Sequence, residues 1–337
     1  LLRPVFVFDP AVIQNVSIHH FKSIRQLDFS CKRVNLFIGE PNTGKSNLLE
    51  ALGLFSLGYA HNVSDFVRMK DVTNLFFDND IQNAASVIAD GYSITLDNTD
   101  TLTAYSKKSG NDIFLLKAEQ DGRVKINSLR FENNGGKAID LSFKYYKFKA
   151  ISSFVSEPSS SLYPPSGNNL FDMLLTHKPL REIVAGIIKE KGYRLNLETG
   201  SKEIKLLREV DDVVYTYPYQ TISDTLQRII FYLAAIETNK NSALIFEEPE
   251  ANTFPFYTKY LAETIARDDS NQYFIATHNP YLLLSIVEKM KTSEVAVSIT
   301  YQENYETRLR ALSEEELSEL LDLNTDVFFN FDKFLSK

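Results

Sequence analysis

The sequence predicts an α/β fold: a mixed sheet with an antiparallel β lobe and a helical insertion. A buried strand runs through a glycine turn into a helix at 34–55, and strands and helices alternate again over 226–276. Between them, over 90–150, short apolar runs are separated by Asp, Asn and Gly, the pattern of an antiparallel sheet.

Val34-Asn35-Leu36-Phe37-Ile38 is a β-branched and aromatic run that ends in Gly39, so a buried strand enters a turn. Leu48, Leu49, Leu52 and Phe55 then recur at helical spacing. Tyr92–Leu96, Ile113–Leu116, Val124–Ile126 and Leu141–Phe148 read as strands of the antiparallel lobe. A Ser-, Pro- and Asn-rich stretch at 156–169 marks a boundary, and helices are expected at Leu170–Leu175 and Leu180–Lys191. Leu226, Ile229, Ile230, Leu233 and Ile236 form one helical stripe, followed by strand Ala243–Phe246, helix Phe256–Ile265 and strand Tyr273–Ala276. Ser313 with Glu316 is a capping-box signal for a terminal acidic helix, whose carboxylates read as a solvated face. The expected division is lobe I at 1–150, a helical insertion at 151–215, lobe II at 216–300 and an acidic helical tail at 301–337.

Composition bounds the class. The chain has 337 residues, 44% hydrophobic and 24% charged, which supports a buried core and argues against disorder. Its single cysteine, Cys31, excludes a disulfide framework and a cysteine-rich zinc site, so a cytoplasmic setting is expected. No apolar run approaches the roughly 18 residues of a membrane span, so no membrane is expected as a partner. A net charge of −8 argues against a whole-surface nucleic-acid binder.

The chemistry concentrates in three segments. Gly39-Glu40-Pro41-Asn42-Thr43-Gly44-Lys45-Ser46 matches the P-loop pattern between a strand and a helix, with Asn47 beside it. The glycines let successive N–H groups face a phosphate at a helix N-terminus. Lys45 would reach the β- and γ-phosphates of ATP, and the Ser46 hydroxyl would ligate Mg²⁺. Next, Ala243–Phe246 delivers Glu247 and Glu248 to the ligand edge of a parallel sheet, one carboxylate for the metal and one for the attacking water. Last, Tyr273–Ala276 ends in Thr277-His278, where a histidine could donate to a transferred phosphate. His19, His20, His61 and His177 lack companions at metal-ligand spacing.

In this order the segments resemble ATP-binding-cassette (ABC) type ATPases of the RecF/SMC/OLD group. The lead-in Ile18-His19-His20-Phe21-Lys22-Ser23-Ile24 resembles the strand with a Phe-Lys-Ser signature that precedes the P-loop there. The resemblance covers 13–58 and 215–290. It implies a P-loop ATPase head, with the Walker B carboxylate at Glu247, the catalytic glutamate at Glu248 and the switch histidine at His278. It also implies an ATP-dependent homodimer in which Ser223, a candidate N-cap of the helix after Thr221-Ile222, faces the nucleotide of the other copy. Glu247 stands where the group usually has Asp, and Thr225 where it has the signature glycine, which bears on hydrolysis rate and on close head contact. Gln82 is the candidate for the glutamine loop. Members of the group serve recombination, repair and phage defence, and the residues do not choose among these.

The chain shows no heptads for coiled-coil arms, and about sixty residues follow His278, too few for an appended nuclease. An effector is therefore expected as a separate chain. Residues 101–150 hold ten Lys+Arg against five Asp+Glu, and Lys144-Tyr145-Tyr146-Lys147-Phe148-Lys149 interleaves cations with aromatics. That stretch is either a nucleic-acid surface or a solvated edge strand protected by lysines.

Overall fold

The structure is a computed structural model and describes residues 13–59, 63–90, 92–97, 103–108, 117–118, 124–125, 143–156, 159–323, 328 and 330–335. The expected strand Ile113–Leu116 and most of the basic stretch at 101–142 lie outside the described residues.

A hairpin opens the chain, β1 (Asn15–Phe21) and β2 (Ile24–Ser30), followed by β3 (Val34–Gly39) and helix α1 (Lys45–Gly53). Short 3₁₀ turns occupy much of 54–79. Strands β4 (Ala85–Ala89), β5 (Tyr92–Asp97) and β6 (Thr103–Lys108) join the hairpin in a five-stranded antiparallel sheet of order β2-β1-β4-β5-β6. Two-residue strands β7 (Lys117–Ala118) and β8 (Val124–Lys125) pair with each other, and β9 (Phe143–Tyr146) follows. Helices α2 (Leu170–Thr176) and α3 (Lys178–Glu190) lead to strands β10 (Arg194–Glu198), β11 (Glu203–Val210) and β12 (Val213–Pro218). Then come α4 (Asp224–Thr238), β13 (Ala243–Glu247), α5 (Pro255–Arg267), β14 (Gln272–Ala276) and α6 (Pro280–Lys289). Strands β15 (Val295–Glu303) and β16 (Glu306–Ala311) and helices α7 (Glu314–Leu323) and α8 (Phe331–Leu335) close the chain.

The central sheet has six strands in the order β16-β15-β3-β14-β13-β9. All its pairs are parallel except the edge strand β16, so β3, β13, β14 and β9 end at one edge. Both faces of this sheet are covered, which explains why its strands read as unbroken apolar runs. Leu36, Ile38, Leu244, Phe246 and Ile275 pack with α4, α5 and α6 on one face. Phe37, Ile245 and Phe274 pack on the other with Leu48, Leu49 and Leu52 of α1 and with Ile18, Val87 and Ile94 of the antiparallel sheet.

Three expectations are corrected. Strand β9, expected in the antiparallel lobe, pairs in parallel with β13 in the central sheet. Its two tyrosines explain the difference: Tyr145 and Tyr146 are fully buried on opposite faces of the sheet, so the run is an edge strand whose rings belong to the core. The stretch expected as a helical insertion carries α2 and α3, but from Arg194 it folds into an antiparallel sheet of order β10-β11-β12. Tight Asp211-Asp212 geometry at positive φ turns β11 into β12. The tail expected as helical contributes part of β15 and all of β16 to the central sheet before α7 begins.

Ser313 does cap α7 reciprocally. Its hydroxyl accepts from Glu316 N–H at 3.3 Å and its own N–H donates to Glu316 Oε2 at 2.9 Å. Glu316 is buried and pairs with Arg310 at 2.7 Å, so this carboxylate is not part of a solvated face. No helix among the described residues is long and apolar enough to cross a membrane.

One ion cluster ties α1 to the antiparallel sheet and to the 3₁₀ region. The Glu50 carboxylate, with no exposed side-chain surface, accepts from Lys22 Nζ and, at 2.6 Å, from Arg68 Nε. Burial lowers the Lys22 pKa, and the charge of Glu50 opposes that shift. Removing one partner from a buried charge group leaves the others uncompensated, at a cost of about 3–5 kcal/mol. Glu50→Ala is therefore expected to lower unfolding free energy by about that amount in urea titration, whereas a loss below about 1 kcal/mol would show the cluster to be solvent-screened.

Candidate functional site

Gly39 ends β3 at φ 145° and Gly44 precedes α1 at φ 96°, backbone angles that exclude most side chains. Space excludes them as well. A Cβ on Gly39 would lie 2.3 Å from Thr300 O, and one on Gly44 would lie 2.0 Å from Thr307 Oγ1. The turn is thus pressed against β15 and β16. Hydrogen bonds fix it there: Thr43 Oγ1 and Thr300 Oγ1 are 2.7 Å apart, and Gln302 Nε2 donates to Asn42 O at 2.8 Å. Asn47 Nδ2 donates to Ser23 Oγ at 2.6 Å, and Ser23 Oγ lies 2.7 Å from Thr307 Oγ1. Residues of the Phe21-Lys22-Ser23 lead-in therefore brace the same loop. No side chain caps the N-terminus of α1, so its first N–H groups remain available to an anion.

Lys45 is 5% exposed, and its Nζ donates to Gly39 O at 2.9 Å and Glu40 O at 2.6 Å. Burial brings its pKa down to about 8, against the opposing charges of Glu248 and Glu40. An incoming phosphate would offer this ammonium the anion that it lacks.

The end of β13 faces the loop. Glu247 accepts from Tyr145 OH at 2.9 Å and from Lys147 Nζ at 2.9 Å, with the Ser46 side chain beside it. Arg68 Nη2 lies 3.9 Å from its other oxygen. Burial alone would raise this carboxyl, but the donors from Ser46, Lys147 and Tyr145 bring it below its usual range. Ser46 hydroxyl and Glu247 carboxylate are hard oxygen donors side by side, a set that fits Mg²⁺ held jointly with phosphate oxygens. Among the described residues no group of three or more His, Cys, Asp or Glu could hold a metal by itself.

Glu248 takes φ 43°, rare for a residue with a side chain, and its N–H donates to Ala276 O at 2.9 Å. The turn leaves its side chain 45% exposed and sets Oε1 3.6 Å from His278 Nε2. Burial lowers the His278 pKa, Lys45 lowers it further, and Glu248 opposes both. Lys45, Ser46, Glu247, Glu248 and His278 thus meet at one sheet edge.

Ser223 stands apart from that group in the chain's architecture, at the start of α4. Its side chain accepts from Leu226 N–H at 3.4 Å, and Thr225 Oγ1 donates to Asn252 O at 3.0 Å. Gln82 lies on an exposed turn, its N–H donating to Asp80 Oδ1 at 2.9 Å. Two lysines of the basic run at 144–149 bond within the protein. Lys144 donates to Ser161 Oγ at 2.7 Å and to Asn239 Oδ1, and Lys147 serves Glu247. Tyr145 and Tyr146 are fully buried and offer no ring to a nucleic acid, while Lys147 and Lys149 are exposed.

Sequence reasoning missed Glu50, Arg68, Thr300, Thr307 and the role of Lys147, all brought in by long-range pairing. It also gave no role to Glu250, whose position in an acidic run after a strand was the available signal. Glu250 is 4% exposed, accepts from Thr277 Oγ1 at 2.5 Å, and has Oε2 buried with no hydrogen-bond partner. Burial raises its pKa to about 7 from an ordinary 4.5. The folded state therefore holds a proton that the unfolded chain has released between those values. Stability from this group is present at the acid end, falls as pH rises from about 4.5 to about 7, and is level above that. His278 acts in the opposite sense near its own value, and comparison with Glu250→Gln cancels that contribution. In urea denaturation, Glu250→Gln is expected to gain on the wild type by about 3 kcal/mol between pH 4.5 and pH 8. A pH-independent difference would mean that Glu250 titrates as an ordinary carboxylate.

Known proteins place this arrangement. No curated protein matches the chain. Among solved structures, an SMC head bound to the C-winged helix domain of ScpA aligns with a TM-score of 0.53 at 12% identity, covering 91% of this chain and 99% of that one. A second, the Smc head domain with an extended coiled coil bound to the C-terminal domain of ScpA, derived from Pyrococcus furiosus, aligns with a TM-score of 0.51 at 12% identity, covering 92% and 98%. These likenesses show that the chain has the fold of an SMC head. A family model described as "AAA domain, putative AbiEii toxin, Type IV TA system" matches residues 56–285, a span that takes in Glu247, Glu248 and His278. With more than half its length matched, the chain belongs to this AAA-domain family.

Proposed function

We propose that the chain hydrolyses ATP at the Gly39–Ser46 turn and uses the nucleotide to close two copies head to head, as a switch for a separate effector chain. The observation that carries this reading is the joining of P-loop and strand-end carboxylates: Ser46 lies beside Glu247, and Glu248 and His278 stand 3.6 Å apart. Loop N–H groups from Gly39 to Lys45 would bind the phosphates, with Lys45 exchanging its carbonyl acceptors for phosphate oxygens. Ser46 and Glu247 would hold Mg²⁺, which neutralises charge on the β- and γ-phosphates when bound.

Glu248 then orients a water and takes its proton as the water oxygen bonds to the γ-phosphorus. The bond to the β–γ bridging oxygen breaks, leaving ADP and phosphate. His278, kept neutral near pH 7 by burial and by Lys45, has one ring N–H to offer the γ-phosphate. Ser223, at the capped start of α4, would meet the nucleotide of the second copy. One observation favours a slower, scaffold-like variant of the same reading, in which nucleotide binding outlasts hydrolysis: Glu247 is already compensated by Lys147.

The proposal is tested by Glu248→Gln. Loss of the proton acceptor is expected to lower ATP turnover by about 10²-fold or more, with ATP binding retained. The ATP-loaded variant should also accumulate as a dimer by light scattering. Unchanged turnover would remove Glu248 from the role given to it here.

A further inference from the structure

The parallel pairing of β9 with β13 has a chemical consequence at their shared end. Phe246 lies opposite Tyr146, so the next residues, Glu247 and Lys147, leave the sheet side by side. The Lys147 backbone is fixed by its N–H donating to Pro165 O at 2.9 Å, and its ammonium reaches Glu247 Oε2 at 2.9 Å. That same oxygen accepts from Tyr145 OH, and the Ser46 side chain lies beside the carboxylate. A carboxylate offers about four lone-pair sites, so a metal ligated by Glu247 must compete with donors already there.

The donors differ in how readily they can leave. Tyr145 is a fully buried ring in the core. Arg68 is tethered through Nε to buried Glu50 at 2.6 Å and approaches Glu247 only to 3.9 Å. Lys147 has 45% of its side chain exposed and a flexible stem, so its ammonium can swing to solvent without opening the core.

We infer that Lys147 is a resident counter-ion of the site: it neutralises Glu247 in the nucleotide-free protein and yields that carboxylate when a divalent cation binds. It is a positioning residue that sets metal affinity by competition between cations. In the metal-free state it spares a largely buried carboxylate the cost of an uncompensated charge. Once displaced, its ammonium stands beside the place proposed for the phosphates, where an anion is available. The inference rests on the proposed assignment of Glu247 to the metal.

The test is Mn²⁺ titration of the full chain with stoichiometric ADP, read from the paramagnetic resonance signal of free Mn²⁺. Removing the competing charge in Lys147→Gln, and independently in Lys147→Met, is expected to tighten Mn²⁺ binding about tenfold, while Lys147→Arg stays near the wild type. Glu247→Gln separates the two levels of the argument. If it leaves Mn²⁺ affinity unchanged, the metal assignment itself fails. If it weakens binding but neither uncharged Lys147 variant tightens it, only the counter-ion role is overturned.

Discussion

The Glu247 carboxylate is a negative charge with 11% of its side chain exposed, and three other parts of the chain are arranged around it. Ser46 comes from the start of α1, Tyr145 and Lys147 from the end of β9, Arg68 from the turns after α1, and the carboxylate itself from the end of β13. Leaving such a charge uncompensated would cost several kcal/mol, so these elements are held in a common register by electrostatics as well as by packing. Arg68 continues the chain of charges to Glu50 and Lys22, and so to the antiparallel sheet. Changes at Glu247 therefore have a physical connection to the antiparallel sheet that does not run through the hydrophobic core.

Opposite this charge cluster, the Gly39–Ser46 loop is shaped by close contact. Thr300 and Thr307 on β15 and β16 occupy the space where side chains at 39 and 44 would stand. The two glycines are therefore required twice, once by their positive φ and once by the threonines behind them. The loop's shape and the Glu247 carboxylate are set by different ends of the same sheet, with β3 and β14 between them.

Much of this was legible in the sequence where chemistry is contiguous. The Gly39–Ser46 octet, the pair Glu247-Glu248 and the strand end at His278 each sit in a short segment whose apolar run announces a buried strand. What stayed illegible depends on pairing across the chain. Lys147 meets Glu247 across 100 residues and Thr43 meets Thr300 across 257, separations that no local pattern encodes. The misreading of β9 has a particular cause. Lys144-Tyr145-Tyr146-Lys147 has the cation–aromatic texture of an exposed edge, yet both ring faces are buried and the lysines turn inward to Asn239 and Glu247. The strands of 194–218 escaped notice because they form a partly exposed hairpin sheet, whose mixed polar and apolar pattern resembles a connecting loop.

The central claim is that the turn between β3 and α1 is the nucleotide site, with Lys45 supplying the charge that holds it. Calorimetric titration with Mg²⁺ and ATP tests this most directly, comparing the full chain with Lys45→Ala. The account predicts one ATP bound per chain and loss of binding by about a hundredfold or more in the variant, since its buried ammonium is the cation placed at the phosphates. Equal affinity in the two proteins would contradict the account, because ATP would then be bound somewhere other than this loop.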